Sequence, residues 1–236
     1  MKRFTYLILA FSILFLFFFI GLVFLRVPFS PYPLISLQDV VDILTPLVLI
    51  PLYLLLYRIG SKTPFSTAGL IIFVVFAAFW ASGQGMHLAA NSINNFLGHQ
   101  KLQAVDIYTL TNFYDETLSH YIWYIGIFGL SALLIFRQWK NPFTGKAAPL
   151  WPVIAAGIIH GISLFLITME GNTWLLGIPF AALVFLFMIL KARQQVDQKP
   201  LVLFFLISGG LVILIFVVWL SLFGWPPPEP MEALKL

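Results

Sequence analysis

Seven predominantly apolar stretches constrain this chain more than any motif in it. A hydrocarbon core about 30 Å thick takes roughly 20 apolar residues per helix. Residues 4–25, 39–57, 67–91, 117–136, 149–169, 173–190 and 201–223 each approach or exceed that length. Inside lipid, every backbone N–H and C=O must be satisfied within the segment, so the stretches are read as helices. The expected fold is all-α: a polytopic seven-transmembrane-helix bundle forming one domain over residues 1–236. Composition agrees, because 61% of the residues are hydrophobic and only 9% charged, where a soluble domain carries about 25% charged residues. With a mean hydropathy of +0.98, soluble, disordered, coiled-coil and collagen-like classes are excluded.

The first stretch follows Met1-Lys2-Arg3 and could be mistaken for a signal peptide. Its apolar run exceeds the usual signal core of about 7–15 residues, and no small-residue cleavage site follows, so it is read as a retained anchor. In the second stretch Pro46 and Pro51 predict a kink.

Charge sets the expected orientation. Lys2, Arg3, Arg58, Lys62, Arg137, Lys140, Lys146, Lys191, Arg193 and Lys199 fall on one side, and only Arg26, Lys101 and Lys235 on the other. Ten against three places the amino terminus inside and the carboxyl terminus outside. Trp139 and Trp151 then mark the inner interface, Trp174 and Trp225 the outer one. The tail Gly224-Trp225-Pro226-Pro227-Pro228 cannot continue a helix and is expected outside. A bacterial or archaeal plasma membrane is the expected location. The basic residues are scattered singly, so a pI near 9.4 points to no nucleic-acid partner.

Polar groups collect on the outer half. Asp39, Asp42, Asp106, Asp115, Glu116, Glu170, Glu229 and Glu232 all lie there, and only Asp197 is inside. Acidic residues hardly influence orientation, so this asymmetry is an independent signal. In the third stretch Gln84, His87, Asn91 and Asn94 or Asn95 share a helix face, with small residues around them in Ser82-Gly83-Gln84-Gly85. Asp115-Glu116-x-x-x-His120 sets a carboxylate and an imidazole one turn apart. Asp39 and Asp42 share a face, and His160 lies between Gly157 and Gly161, with Ser163 and Glu170 along roughly the same stripe. At about 1.5 Å of rise per residue, His87, Glu116 and Glu170 lie near 30 Å from the inner helix ends. Asp42 and His120 come out near 25 Å, and His160 near 15 Å, at the midplane.

Ionisable groups at membrane depth are costly and tend to face a bundle interior or a wet cavity. His87, His120, Glu116, Asp42 and His160 are the candidate ligands of a divalent metal, and Glu116, Asp115 and Glu170 the candidate catalytic carboxylates. Imidazole with carboxylate suits zinc, iron or manganese better than calcium, and the chain has no cysteine to offer. The bland alternatives are helix-start capping for Asp115 and Glu116, a packing histidine at His160, close packing for Gly157–Gly161, and ordinary loop roles for His99 and Lys101. Seven spans with sparse His, Asp and Ser resemble in architecture the membrane metal hydrolases of the alkaline ceramidase and adiponectin-receptor type. Their H-x-x-x-H pair in the last span has no counterpart in 201–223, which holds no histidine, so no residue is assigned from that resemblance.

The function expected first is a metal-dependent hydrolase or oxidoreductase, using zinc or iron on a lipid or other apolar small molecule at the outer leaflet. A transporter taking a cation or proton, a haem protein using two of His87, His120 and His160, and a non-catalytic subunit are the alternatives. The inner half offers no continuous polar path, which speaks against transport.

Overall fold

A computed structural model describes residues 2–64, 66–144, 149–192 and 196–234. Lys146, Arg193 and Lys235, counted above in the charge asymmetry, lie outside the described residues. The described residues are helical with no strand. They form α1 (Lys2–Phe19), α2 (Leu37–Asp42), α3 (Leu44–Ile59), α4 (Thr67–His99), α5 (Asp106–Asn112), α6 (His120–Lys140), α7 (Trp151–Glu170), α8 (Trp174–Phe187), α9 (Pro200–Phe223) and α10 (Pro230–Leu234). Seven helical segments are long and apolar enough to cross a membrane, with α2–α3 and α5–α6 each counting as one. Arg58, Lys62, Arg137 and Lys140 lie at one end of the bundle, termed the basic end, and Asp39, Glu116 and Glu170 at the other, termed the acidic end.

Two helix breaks shape the acidic end. The second span is interrupted at Ile43, between α2 and α3. Pro46 lacks an N–H and its ring collides with the carbonyl four residues back, that of Asp42, so the helix yields there rather than at Pro51, which stays inside α3. Ser36 and Asp39 close a reciprocal cap at the start of α2. The second break is a π-helical stretch, Phe113–Ser119, between α5 and α6. Such insertions widen one turn and re-aim its side chains, and they are frequent at functional sites.

Packing is set by small residues. On α7, Gly157 and Gly161 let α9 approach: a Cβ on Gly157 would stand 2.8 Å from Ile207 Cβ, and one on Gly161 2.9 Å from the Ser208 carbonyl. The close-packing expectation for this pair holds. The α4–α6 contact is tighter and nearly symmetrical. A Cβ on Gly83 would meet the Trp123 backbone nitrogen at 2.5 Å, and one on Gly126 the Trp80 nitrogen at 2.5 Å. Each helix thus carries a Trp-x-x-Gly unit, and each glycine receives the other helix at its tryptophan. At the basic end, buried Gln138 ties three elements: its Nε2 donates to the Gly60 carbonyl (3.2 Å), and its Oε1 accepts from the Leu201 and Val202 nitrogens opening α9 (2.5 and 3.3 Å). The α9 amino terminus, with no intrahelical acceptor for those N–H groups, is satisfied there.

Candidate functional site

Because α4 runs on to His99, its polar face stands inside the bundle instead of ending at the membrane surface. Gln84 Nε2 donates to Asp42 Oδ2 (2.8 Å), Asn91 Nδ2 to Asp39 Oδ1 (3.1 Å), and Asn94 Nδ2 to Asp115 Oδ2 (3.0 Å). The same stripe therefore grips both neighbouring spans. Asp115 is buried, and a buried carboxylate without such a partner is costly. Thr111 Oγ1 donates to Asn94 Oδ1 (2.5 Å), which fixes the asparagine amide with its NH₂ toward Asp115.

His87 and His120 come face to face beside this network, with ring centroids 4.9 Å apart and planes tilted by 39°. His87 Nδ1 lies 2.8 Å from Asp115 Oδ1, a close polar pair not aligned as a hydrogen bond. His120 Nδ1 lies 3.1 Å from the Glu116 carbonyl and 3.2 Å from that of Gly171, both acceptors, so this nitrogen carries the proton. Neither Nε2 has a hydrogen-bond partner among the described residues. Trp123 packs on both rings, 5.6 Å from His87 and 5.4 Å from His120, and its buried indole N–H is unpartnered among the described residues. A polar cavity of about 280 Å³, lined by Asn91, Asn94, Asn112, Asp115 and Glu116, opens this region at the acidic end.

The structure separates the other candidates. His160 stands among α1, α7 and α9, boxed by Phe15 (4.6 Å), Phe204 (4.9 Å), Phe205 (5.8 Å) and Phe11 (6.0 Å), with Nδ1 2.8 Å from Ser208 Oγ. It shares no ring neighbour with His87, so it belongs to the aromatic core rather than to the outer group, although its Nε2 is buried without a partner among the described residues. Depth along α7 was legible; which helices α7 would face was not. Glu170 Oε1 accepts from the Met231 backbone nitrogen (2.5 Å), which commits that carboxylate to fastening the tail. Asp42 has both oxygens engaged, by Thr45 (2.5 Å) and Gln84. Glu116 is exposed, and no hydrogen bond occupies its carboxylate among the described residues. No group of three or more His, Asp or Glu side chains among the described residues converges with metal-ligand geometry.

Two expectations need correction. Asp115 and Glu116 do not sit at a helix start: α5 begins at Asp106, and both lie in the π-helical stretch, so capping does not account for them. His99 is the last residue of α4 and lines the polar cavity with Asp115 and Glu116 rather than standing on a remote loop. Trp123 and Glu229 were not singled out from the sequence. For Trp123 the available signal was its position one turn after His120. Glu229 is brought back by the tail, where Trp219 Nε1 donates to the Pro228 carbonyl (3.1 Å). Partial burial pushes the Glu229 carboxyl above the usual range, and the charges of Glu170, Glu116 and Glu232 push it further.

Over 190 aligned residues the chain is 26% identical to the ceroid-lipofuscinosis neuronal protein 6 homolog of Canis lupus familiaris. It is 27% identical to ceroid-lipofuscinosis neuronal protein 6 of Homo sapiens. Each match covers 71% of this chain and 59% of the relative, so the chain spans less than two thirds of the relatives' length. No protein-family model matches the chain, and no solved structure matches it. The chain is a multi-pass integral membrane protein. Both relatives are mammalian, which lends no support to the expected bacterial or archaeal plasma membrane.

Proposed function

We propose that the acidic end houses a membrane-embedded enzyme site in which His87 and His120 present their Nε2 atoms to one divalent metal ion, acting on a lipid or other apolar substrate. The observation that carries this reading is the state of the two Nδ1 atoms. Metal-ligating histidines almost always give the second ring nitrogen to a carboxylate or backbone carbonyl, which fixes tautomer and orientation. Here the Gly171 and Glu116 carbonyls occupy that role for His120, Asp115 stands 2.8 Å from Nδ1 of His87, and neither Nε2 has a hydrogen-bond partner among the described residues. When bound, zinc would activate water and iron would support oxidation. Glu116, unengaged among the described residues and one residue from Asp115, is the chain's candidate general base, and Trp123 Nε1–H is a donor for developing negative charge.

A second reading dispenses with the metal: His87, oriented by Asp115, acts as general base on its own. The 2.8 Å approach of its Nδ1 to the buried Asp115 carboxylate favours it, since that proximity positions the ring with or without a metal. Metal content of protein purified from metal-replete cells separates the two. The metal reading expects close to one zinc or iron per chain in the wild type, most of it lost in His87→Ala and His120→Ala and retained in Lys101→Ala. Equal content in wild type and His120→Ala, or none in either, ends the metal reading.

A further inference from the structure

Between α2–α3 and α4 the protein has a groove of about 510 Å³, within the range of small-molecule sites. It lies on the side of two candidate membrane spans, flanked by the exposed apolar side chains of Ile43 (52% exposed) and Leu47 (64% exposed), as a groove open to lipid would. Its α4 wall is a run of small residues, Ala81, Gly85 and Ala89 at four-residue spacing, and a Cβ on Gly85 would meet nothing within 4 Å. That wall leaves a channel as the helix climbs.

The floor of the groove is not apolar. Gln84 lines it at 1% exposure, and its Oε1 is buried with no hydrogen-bond partner among the described residues. The amide cannot flip to relieve this, because Asp42 Oδ2 requires the Nε2 donor on its other side. Asp39, also in the lining, is already engaged, by the Ser36 nitrogen (3.0 Å) and by Asn91 Nδ2 (3.1 Å), so of the two only Gln84 carries an unfilled acceptor. One lining residue of an otherwise largely apolar trough therefore carries an unfilled buried acceptor, one helical turn from His87. Buried acceptors without donors are rare and costly, so the missing donor points to a ligand.

The geometry points to this groove as the seat of one acyl chain of a membrane lipid, whose hydroxyl or amide N–H next to the chain donates to Gln84 Oε1. A lipid lacking such a donor fits the trough but leaves Gln84 unsatisfied. The inference rests on the proposed site for its chemistry, since it names the substrate class delivered to His87; the binding itself needs neither metal nor turnover.

The test uses the full chain in detergent micelles, with radiolabelled monooleoylglycerol as the donor-bearing probe and methyl oleate as its donor-free counterpart. Wild type is expected to bind monooleoylglycerol about tenfold tighter than methyl oleate, the effect of one hydrogen bond to an otherwise unsatisfied buried acceptor. Gln84→Leu should erase that preference and leave methyl oleate binding unchanged. Gly85→Phe projects into open space, so it fills the trough without a backbone clash and should abolish binding of both probes; Ile71→Phe on the exposed face of α4 should change neither. Undiminished binding in Gly85→Phe overturns the groove, and a preference that survives Gln84→Leu overturns the donor. Loss of metal content with these binding results intact would instead count against the proposed metal site alone.

Discussion

Asp115 meets two groups at once: one oxygen accepts from Asn94, and the other stands 2.8 Å from His87 Nδ1. An asparagine offers one acceptor and one donor, so Asp115→Asn must turn an NH₂ toward either the Asn94 amide or His87 Nδ1–H. The loss of one buried interaction is worth about 1–3 kcal/mol of stability. Exchanging the pair, Asp115→Asn with Asn94→Asp, restores a donor opposite an acceptor. The amide introduced on the π-helical stretch donates to the carboxylate introduced on α4, and its own carbonyl faces His87 Nδ1, as Asp115 Oδ1 does now. The introduced carboxylate also accepts from Thr111 Oγ1, as the Asn94 carbonyl oxygen does now. Thermal unfolding in nanodiscs is therefore expected to show the single variant destabilised and the double variant recovering most of the loss. A double variant no better than the single would mean that Asn94 and Asp115 do not pair. The residues of this network were legible in the sequence from their helical spacing, but their partners were not. Spacing says which groups share a face, whereas Asp42, Asp39 and Asp115 are reached across helices. His160 shows the limit from the other side: the bland alternative of a packing histidine agrees with its aromatic surroundings, but spacing along α7 did not say which helices its face would meet.

The elements that position the site are α4 and α6, and their crossing determines the distance between His87 and His120. His87 lies one turn beyond Gly83, and His120 one turn before Trp123, so both rings sit directly above the closest approach. A methyl group at Gly83 would press on backbone, the Trp123 nitrogen at 2.5 Å and the Ser119 carbonyl at 2.7 Å, with no flexible side chain to give way. Overpacking of this kind costs about 1–3 kcal/mol. Gly83→Ala and Gly126→Ala are each expected to destabilise by that amount, whereas Gly85→Ala, away from any contact, should be neutral or stabilising by up to about 1 kcal/mol. Equal unfolding temperatures for Gly83→Ala and Gly85→Ala would refute the close crossing. Element boundaries were the less legible part here. Apolar content fades at Asn91 and resumes at 117, yet α4 continues to His99 and the next span begins at Asp106. Asn94, Thr111 and Asp115 are buried and bond one another across the helix pair while the other polar residues there are largely exposed, so hydropathy ends the helices too early. Neither the π-helical stretch at Phe113–Ser119 nor the break at Ile43 has a spacing signature, although Pro46 announced a distortion nearby.

For the whole molecule, the seven-span count was legible because each span repeats the same hydrophobic demand, and the expected direction comes from the basic residues between spans. Arg58, Lys62, Arg137 and Lys140 gather at one end of the bundle, where Lys62 donates to Thr144 Oγ1 (3.0 Å) and Arg137 to the Thr63 carbonyl (2.6 Å). That end is expected to face the cytoplasm, which sets the polar cavity, the tail and the lateral groove toward the opposite leaflet. The chain has no cysteine, so a single introduced thiol reports its own location without background. Lys101 lies beyond the end of α4 at the acidic end, and Lys62 between α3 and α4 at the basic end; both are exposed. With only the cytoplasmic face open to a membrane-impermeant maleimide, Lys62→Cys is expected to react, whereas Lys101→Cys should react only from the opposite face or after the membrane is opened. The reverse pattern would invert the bundle and place the site on the cytoplasmic leaflet. Because both positions are surface residues outside the network around Asp115, a failure of either variant to label under fully denaturing conditions would signal poor expression and not topology, and the comparison is made after that control.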